Sequence, residues 1–250
     1  MSVPARSRAE LIADQQRHPP FGSRRFETGD GPVRVGTTGT GDALFLLAWS
    51  ENDLARERAA GARVFGRLAI GARMRIANAL PGALATPGAL VVGDVNEALG
   101  ALDVPLGEVA TEAAAAPAWE LIDRVEVSVL ILDPARAASL LAAAPAQPRP
   151  WFQGIVWLCR PGEFATPPKV PHLPGWRRRW LAVPEVSSFV ASECAQRVLH
   201  VDAAFAPTVE VGELVLGALH PDVPWRYRSG WPARVLGSCR CGATEPALLD

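Results

Sequence analysis

Runs of apolar residues alternate with amphipathic stretches through the first three quarters of the sequence. The runs at 125–132 and 154–159 are predominantly apolar and rich in β-branched residues, as strands buried on both faces are. A shorter run at 74–77 has the same character. Strands that alternate with helices along a chain usually pair in parallel, with helices on the faces of the sheet. The pattern therefore predicts a layered α/β core.

Helix starts are marked by capping residues. Ser50, with Asp53 three residues later, opens an amphipathic stretch that runs to about residue 70. Asp133 followed by Pro134 combines an N-cap residue with the residue preferred at the first helical position. The sequence therefore predicts one helix after Ser50 and another directly after Asp133.

The pattern changes after residue 190, where short apolar segments are separated by Pro and Gly. These segments lie at 199–201, 213–218 and 234–236. We expect residues 1–190 to form the layered α/β core and residues 191–250 to form a β-rich portion of the same domain. The Ala/Pro-rich stretch at 142–150 is expected to join elements inside that domain.

Composition and charge exclude several functional classes. Apolar residues make up 49% of the chain and charged residues 20%, which is normal for a globular domain. The formal net charge of −1 argues against a general nucleic-acid-binding protein. No apolar stretch is long enough to cross a bilayer, and residues 1–17 lack the apolar centre of a secretory signal. We therefore expect a cytoplasmic protein without a membrane or nucleic-acid partner.

The run at 176–180 interleaves cations with aromatic rings in the order W-R-R-R-W. Such a run could bind a phosphate or a nucleic acid. The pattern favours instead a solvated helix end, with Trp176 and Trp180 packed inward.

Soft metal ligands are grouped in the last quarter of the sequence. Five residues separate Cys194 from His200, and one residue separates Cys239 from Cys241. Three thiolates and one imidazole suit a tetrahedral zinc ion, and four protein ligands would close its coordination shell. The alternative is two buried thiols, a surface histidine and an unrelated Cys-x-Cys in a Gly/Ser/Arg-rich turn. Cys159 falls in a predicted core strand and is expected to pack as a small hydrophobic side chain.

The segment at 36–41 reads G-T-T-G-T-G and has two interpretations. Its glycines would allow close backbone approach to a phosphate, and its threonine hydroxyls could donate to phosphate oxygens. It contains no lysine, however, and the Asp42 that follows would repel an anion. An ordinary hairpin turn is therefore the favoured interpretation.

A series of motifs runs in a fixed order along nearly the whole chain, from about residue 9 to residue 246. It comprises Q-x-x-x-PPFG at 15–22, GTTG at 36–39, Asn78 with the Gly-rich segment to 101, Glu185-Val186, Glu193-Cys194 with LHV at 199–201, GELV at 212–215, RYRSG at 226–230 and CRCG at 239–242. In this order the motifs resemble those of the phenylacetate-CoA ligase family, which belongs to the AMP-forming, or adenylate-forming, ligase superfamily. The resemblance implies the large N-terminal domain of that fold, with a structural zinc held by Cys194, His200, Cys239 and Cys241.

Differences from the family are concentrated in the motifs that bind the nucleotide. Thr40 stands where the family has a lysine, and larger side chains at 158–161 replace its small-residue adenine segment. Trp231 stands where an aspartate holds the ribose of ATP, and an indole cannot accept two hydroxyl hydrogen bonds. The C-terminal lid domain has no counterpart in the sequence. The resemblance therefore implies a truncated, degenerate member for which ATP is not a cofactor, with the buried Trp231 side chain filling the space of the ribose.

Three functions are compatible with this combination of matches and differences. The first is ATP-independent acyl transfer to a carrier protein, CoA or an amine, since a thioester is already activated. The second is a non-catalytic pseudoenzyme that binds a small aromatic acid or a protein partner. The third is an adenylate-forming ligase completed by a lid from another chain. We favour the first of these.

The candidate site residues follow from their positions in the motifs. Glu185 resembles the glutamate of the family's YGLTE motif and is the candidate catalytic residue, with Cys159 and His172 as alternatives for a nucleophile or base. Ligand contacts are expected from Thr37, Thr38, Cys159, Arg228 and Trp231. The cofactors expected are structural zinc and a CoA thioester. The partners expected are a small aromatic or acyl carboxylate or thioester, a carrier protein or partner enzyme, and a second copy of the chain in a homodimer.

Overall fold

The protein, in a computed structural model, combines helices with three β-sheets. The structure describes residues 4–24, 26, 30–82, 86–161, 170, 173–220, 223, 225–236, 239–243 and 247–248. In chain order the elements are β1 (Ala5–Arg6), α1 (Arg8–Arg17), β2 (Arg34–Thr38), β3 (Phe45–Trp49), α2 (Glu51–Arg67), β4 (Arg75–Asn78), α3 (Ala89–Ala98), β5 (Leu102–Pro105), α4 (Glu112–Val125), β6 (Val129–Leu132), α5 (Ala138–Ala142), β7 (Gly154–Cys159), β8 (Trp176–Val183), β9 (Ser187–Glu193), β10 (Leu199–Val201), β11 (Thr208–Glu210), β12 (Glu213–Leu216), β13 (Arg226–Pro232), β14 (Val235–Leu236) and β15 (Ala247–Leu248).

A nine-stranded sheet in the order β14-β15-β10-β9-β8-β7-β6-β4-β5 forms the centre of the fold. The pairs β5-β4, β4-β6, β6-β7 and β7-β8 are parallel, which confirms the predicted α/β core with parallel pairing. The predicted strand at 154–159 is β7, and that at 74–77 is β4, one residue later. The run at 125–132 is a strand only from Val129, because α4 continues to Val125.

Helices cover both faces of this sheet. Along β6, Val129 and Ile131 lie in one hydrophobic cluster with α2 and α3, whereas Leu130 and Leu132 lie in a second cluster with α4 and α5. Side chains alternate between the faces of a strand, so both faces of β6 are apolar because both are covered. The result is a three-layered arrangement.

The two predicted helix starts have different outcomes. Ser50 and Asp53 form the predicted capping box, and α2 follows directly after Ser50. The helix predicted after Asp133 is wrong, because α5 begins only at Ala138. The Asp133 carboxylate instead accepts a hydrogen bond from the backbone N–H of Ala135 at 3.0 Å, which closes a local turn.

The W-R-R-R-W run at 176–180 is not the helix end that the sequence predicted. It begins β8, in the interior of the nine-stranded sheet, and Trp180 is fully buried. Arg179 is also buried, because its guanidinium meets the Glu193 carboxylate of β9 at 2.8 Å. The Glu193 carboxylate on the neighbouring strand thus compensates the charge of the buried Arg179.

The predicted short strands after residue 190 are present as β10, β12 and β14. They are shared between two sheets, since β10 and β14 extend the central sheet. Strand β12 belongs to a four-stranded sheet in the order β1-β13-β12-β11. In that sheet the N-terminal β1 pairs in parallel with β13. The stretch at 142–150 connects α5 to β7 within the fold. Within the described residues, the helices lack the length and apolar character required to cross a bilayer.

Candidate ligand cleft and candidate metal centre

A cleft of about 580 Å³ lies where α1, the β2-β3 hairpin, the turn between β8 and β9, and β13 meet. Its walls include residues 7–9 at the start of α1 and Thr38, Gly39 and Ala43 in the hairpin turn. The opposite side is formed by Pro184, Glu185 and residues 227–230. The cleft is therefore assembled from segments that are distant in the sequence.

Arg8 of α1 contacts both the hairpin turn and the turn between β8 and β9. Its Nη2 donates to the carbonyl oxygen of Thr38 at 2.9 Å and to that of Ala43 at 2.8 Å. Its Nη1 forms an ion pair with the Glu185 carboxylate. The guanidinium therefore lies against the hairpin turn, at the segment that resembles a phosphate-binding loop.

Glu185, the candidate catalytic residue, lines the cleft from the turn between β8 and β9. Its side chain is only 4% exposed, and Arg8 engages its carboxylate. A role as general base would therefore require this ion pair to open.

The segment at 36–41 forms an ordinary antiparallel hairpin, as favoured from the sequence. Thr38 and Gly39 line the cleft, whereas Thr37 is not among the described lining residues and pairs across the hairpin with Leu46. Gly39 has a φ of +78°, and a Cβ there would clash with the carbonyl oxygen of Ala43 and with the Arg8 guanidinium. The turn is thus shaped closely around Arg8.

The other predicted ligand contacts are divided between cleft and core. Arg228 lines the cleft and is exposed. Cys159 and Trp231 are 3% and 4% exposed, belong to the large hydrophobic cluster, and are not among the described lining residues. The Trp231 indole is buried, as expected, and packs in the hydrophobic cluster, while its filling of the ribose space stays a prediction. His172 lies outside the described residues.

Charged groups of both signs line the cleft. Arg8, Arg160 and Arg228 line it, against the carboxylates of Glu185 and Glu213. Burial raises the pKa of Tyr227, another lining residue, to about 12, so its hydroxyl stays protonated. Sequence analysis missed Arg8 because nothing local links it to a hairpin turn 30 residues away.

A smaller cavity of about 40 Å³ adjoins the cleft, because Pro184 and Glu185 line both. Most of its wall is apolar and aromatic, with contributions from Phe21, Phe45, Trp49 and Trp225. Its polar wall residues besides Glu185 are Gln15, Arg24 and His220. The small cavity therefore extends the cleft toward a group of aromatic side chains.

His220 lines this cavity and also lies next to two buried carboxylates on α2. Its Nδ1 lies 2.9 Å from Oδ1 of Asp53, and its Nε2 lies 3.7 Å from Oε1 of Glu57. Burial raises the pKa of Glu57. Burial opposes ionisation of Asp53 too, but His220, the Ser50 N–H and Arg24 outweigh it and hold the pKa of Asp53 below its usual range.

The four predicted metal ligands lie together at the end of β9, on β10 and in the turn that contains residues 239–242. The ligand atoms of Cys194, His200, Cys239 and Cys241 all lie within 4.8 Å of one another. Sγ of Cys194 is 3.8 Å from Sγ of Cys239, and Sγ of Cys241 is 3.3 Å from Nε2 of His200. The zinc–sulfur and zinc–nitrogen distances of a tetrahedral site place such atoms about 3.8 Å and about 3.6 Å apart.

The chemistry of this cluster fits a structural metal ion. The cysteines are free, and a sulfur–sulfur separation of 3.8 Å is much longer than a disulfide bond. Backbone N–H groups of Gln196 and Ala243 point at the sulfur atoms of Cys194 and Cys241, at 3.3 Å and 3.5 Å, and would stabilise thiolates. The residues could therefore hold one zinc ion with no open position, while the ion itself stays a prediction.

Comparison with known proteins gives a result for structure alone. No protein-family model and no curated protein matches the sequence. The structure matches an open conformation of 2-hydroxyisobutyryl-CoA ligase, solved with 2-HIB-AMP and CoA, with a TM-score of 0.84 and 18% identity over 98% of this chain and 62% of that chain. The same ligase in its postadenylation state with R3-HIB-AMP gives a TM-score of 0.83 and 19% identity, over 98% of this chain and 56% of that chain.

The protein has the fold of the AMP-forming ligases. The predicted mixed α/β fold is thereby confirmed, since this likeness covers nearly the whole chain. The chain spans about three fifths of the length of the ligase in its open conformation. At 18% identity, this likeness establishes the fold and does not establish the activity.

Proposed function

We propose that the protein binds a small acyl carboxylate or its thioester in the cleft and transfers the acyl group without ATP. The observation that carries the proposal is the Arg8 guanidinium, held between the hairpin carbonyls and Glu185. A guanidinium in a partly enclosed cleft is a good partner for a carboxylate or a thioester carbonyl. The 2-hydroxyisobutyryl-CoA ligase with this fold was solved with an acyl adenylate and CoA, which agrees with an acyl ligand.

The hairpin turn supports independence from ATP. A phosphate-binding loop directs backbone N–H groups at its ligand. Here the turn directs the carbonyl oxygens of Thr38 and Ala43 at Arg8, so the guanidinium takes the position next to the turn. Asp42 adds a negative charge to the same turn. A triphosphate would have to displace Arg8 and approach carbonyl oxygens.

The proposed reaction begins from a thioester. The acceptor, which is an amine, the thiol of CoA or a carrier-protein thiol, attacks the carbonyl carbon and loses its proton. The carbon–sulfur bond breaks, and the departing thiolate takes up a proton. Arg8 and the protonated Tyr227 hydroxyl are among the donors in the cleft that could stabilise the carbonyl oxygen. The thioester supplies the driving force, so no adenylate is required.

The metal centre is proposed to hold one structural zinc ion. Its four ligands fill a tetrahedral shell, so the ion would join β9 and β10 to the turn at 239–242 and would take no part in the reaction.

A second candidate is a non-catalytic binding protein of the same ligand class. It is favoured by the ion pair that engages Glu185, which leaves the predicted base occupied. Acyl transfer from phenylacetyl-CoA to hydroxylamine, followed as release of free CoA, separates the two. Turnover supports transfer, whereas binding without turnover supports the non-catalytic alternative.

Isothermal titration calorimetry with phenylacetate, phenylacetyl-CoA, CoA, ATP and AMP tests the binding step. We expect phenylacetate or its thioester to bind and Arg8→Ala to weaken that binding about tenfold, the value of one charge-assisted hydrogen bond. Arg17→Ala is the matched control, because Arg17 lies on the same helix, hydrogen-bonds Ala13 of that helix and is not among the described lining residues. Low-micromolar binding of ATP or AMP to the protein alone would contradict ATP independence and favour a ligase completed by a lid from another chain.

A further inference from the structure

A carboxylate of the protein itself holds the guanidinium that the proposed ligand needs. Nη2 of Arg8 donates to the carbonyl oxygens of Thr38 and Ala43, at 2.9 Å and 2.8 Å, and these two hydrogen bonds take up its two N–H groups. Nη1 forms the ion pair with Glu185. A ligand carboxylate that approaches Arg8 therefore meets Glu185 at the nitrogen that the hairpin turn does not use.

The two partners of this ion pair differ in exposure. The Arg8 side chain is 30% exposed and lines the cleft, so a ligand can reach it. The Glu185 side chain is only 4% exposed, and within the described part of the chain Arg8 is the one cation that forms an ion pair with it. A buried carboxylate needs a partner for its charge, so Glu185 depends on Arg8 more than Arg8 depends on Glu185.

Glu185 also has a second place to which its carboxylate can turn. Besides the cleft, it lines the small aromatic cavity, where Arg24 and His220 are further polar wall residues that can donate to a carboxylate. Both of these side chains already face the Asp53 carboxylate, at 2.5 Å and 2.9 Å. The second position is therefore the less favourable one, and Glu185 stays at Arg8 until a ligand competes for that guanidinium.

We propose that Glu185 is an internal competitor for the carboxylate of the ligand, and that its ion pair with Arg8 is an autoinhibitory contact which the ligand displaces. The inference rests on the proposed function, because it assumes that an acyl carboxylate binds at Arg8. A ligand carboxylate has the charge and the planar shape of the Glu185 carboxylate and can replace it on the guanidinium. Binding then costs the free energy of one ion pair, which lowers the affinity of the wild-type protein.

Calorimetry with phenylacetate on three variants tests this competition. Glu185→Gln keeps the shape of the side chain but removes its charge, and Glu185→Asp keeps the charge but shortens the reach to Arg8 by one methylene. Both should bind phenylacetate about tenfold more tightly than the wild type, the value of one charge-assisted hydrogen bond. Glu213→Gln is the control and should have a much smaller effect, because Glu213 lines the same cleft but accepts from the Gly230 N–H.

The three variants distinguish competition from other roles of Glu185. Unchanged or weaker binding in Glu185→Gln and Glu185→Asp would overturn the inference, since a carboxylate that positions Arg8 for the ligand would act in this way. Tighter binding in Glu185→Gln and Glu213→Gln alike, but not in Glu185→Asp, would also overturn it and would indicate repulsion by the net charge of the wall. Phenylacetate still binds in both cases, so the proposed function stands.

A measurement on the wild-type protein covers the case in which the variants fail to fold. The side-chain carboxyl carbon resonance of Glu185 should shift together with the guanidinium nitrogen resonances of Arg8 when phenylacetate is added. A shift at Arg8 alone would overturn the inference, because it would mean that the ion pair survives in the complex. Failure of both phenylacetate and phenylacetyl-CoA to bind would overturn the proposed function itself.

Discussion

Two carboxylates one helical turn apart on α2 have opposite electrostatic environments. Asp53 is surrounded by donors and by Arg24, which hold its pKa below the usual range. Glu57 is equally buried, but there the effect of burial dominates and raises the pKa. Their effects on stability therefore have opposite dependence on pH.

Glu57→Gln should gain stability relative to the wild type as the pH rises. A raised pKa means that the folded state favours the protonated acid. The stability linked to that proton is complete below the ordinary value of 4.5 and is lost as the pH rises through the raised pKa. Gln keeps the shape and does not ionise. Denaturant unfolding at about pH 4 and at about pH 8 should show the variant improving against the wild type between them.

Asp53→Asn is the matched control and should behave in the opposite way. Its carboxylate stabilises the fold above the ordinary value of 3.8, and this contribution is lost as the pH falls through the lowered pKa. We expect a loss of about 1–3 kcal/mol at neutral pH that shrinks in acid, because charged hydrogen bonds are removed. A loss independent of pH would show that shape, and not charge, is what Asp53 supplies.

At the scale of elements, the β2-β3 hairpin and α1 depend on each other through Arg8. Gly39 leaves room for the guanidinium, and any side chain there would press on it. Gly41, two residues later in the same turn, also has a positive φ of +55°, but nothing lies within 4 Å of a Cβ at that position. Substitutions at these two glycines therefore distinguish the cost of backbone strain from the cost of losing the Arg8 contact.

Gly39→Ala should cost more stability than Gly41→Ala and should also weaken acyl ligand binding. Both substitutions place a side chain in the left-handed region, at a cost of about 1–2 kcal/mol. Only the first displaces Arg8 from the turn. Thermal unfolding and phenylacetate calorimetry on both variants measure the two effects. Equal losses of stability, with unchanged binding in both, would show that Arg8 is held independently of the turn.

The sequence predicts these elements well where their signals are local. The capping box of Ser50 and Asp53 and the apolar run of β7 are visible within a few residues. The start of β8 is not, because its three arginines indicate solvent unless Glu193 on the next strand is known to neutralise Arg179. The roles of Arg8 and His220 are set by partners 30 and 167 positions away, and no local pattern encodes such contacts.

At the scale of the whole molecule, the candidate metal centre joins separate parts of the C-terminal quarter. Cys194 follows β9, His200 lies on β10, and Cys239 and Cys241 come from a distant turn. The ligand set was predictable because Cys and His spacing is a chemical signal that does not depend on the fold. An ion here would take the place of a packed core in holding the turn.

Metal analysis of the purified protein should find one zinc per chain. Cys241→Ser should lose the ion and lower the melting temperature, since binding energy at such a site is folding energy. Chelation of the wild type should produce a similar drop. Cys159→Ser is the control, because Cys159 is buried in β7 and should leave the zinc content unchanged. A full complement of zinc in Cys241→Ser would exclude this residue as a ligand.

The parallel pairing of β1 with β13 has a consequence for the order of events during synthesis. Ala5 and Arg6 hydrogen-bond to a strand that leaves the ribosome more than two hundred residues later, at Arg226 and Tyr227. Until then α1 can meet the β2-β3 hairpin through Gln15 and Arg8, but β1 has no partner strand and the wall of the cleft at residues 227–230 does not exist. Contacts between such distant segments form late, because closing a long loop costs entropy before it gains contacts. The nascent chain can therefore complete much of its central sheet well before it acquires a ligand site.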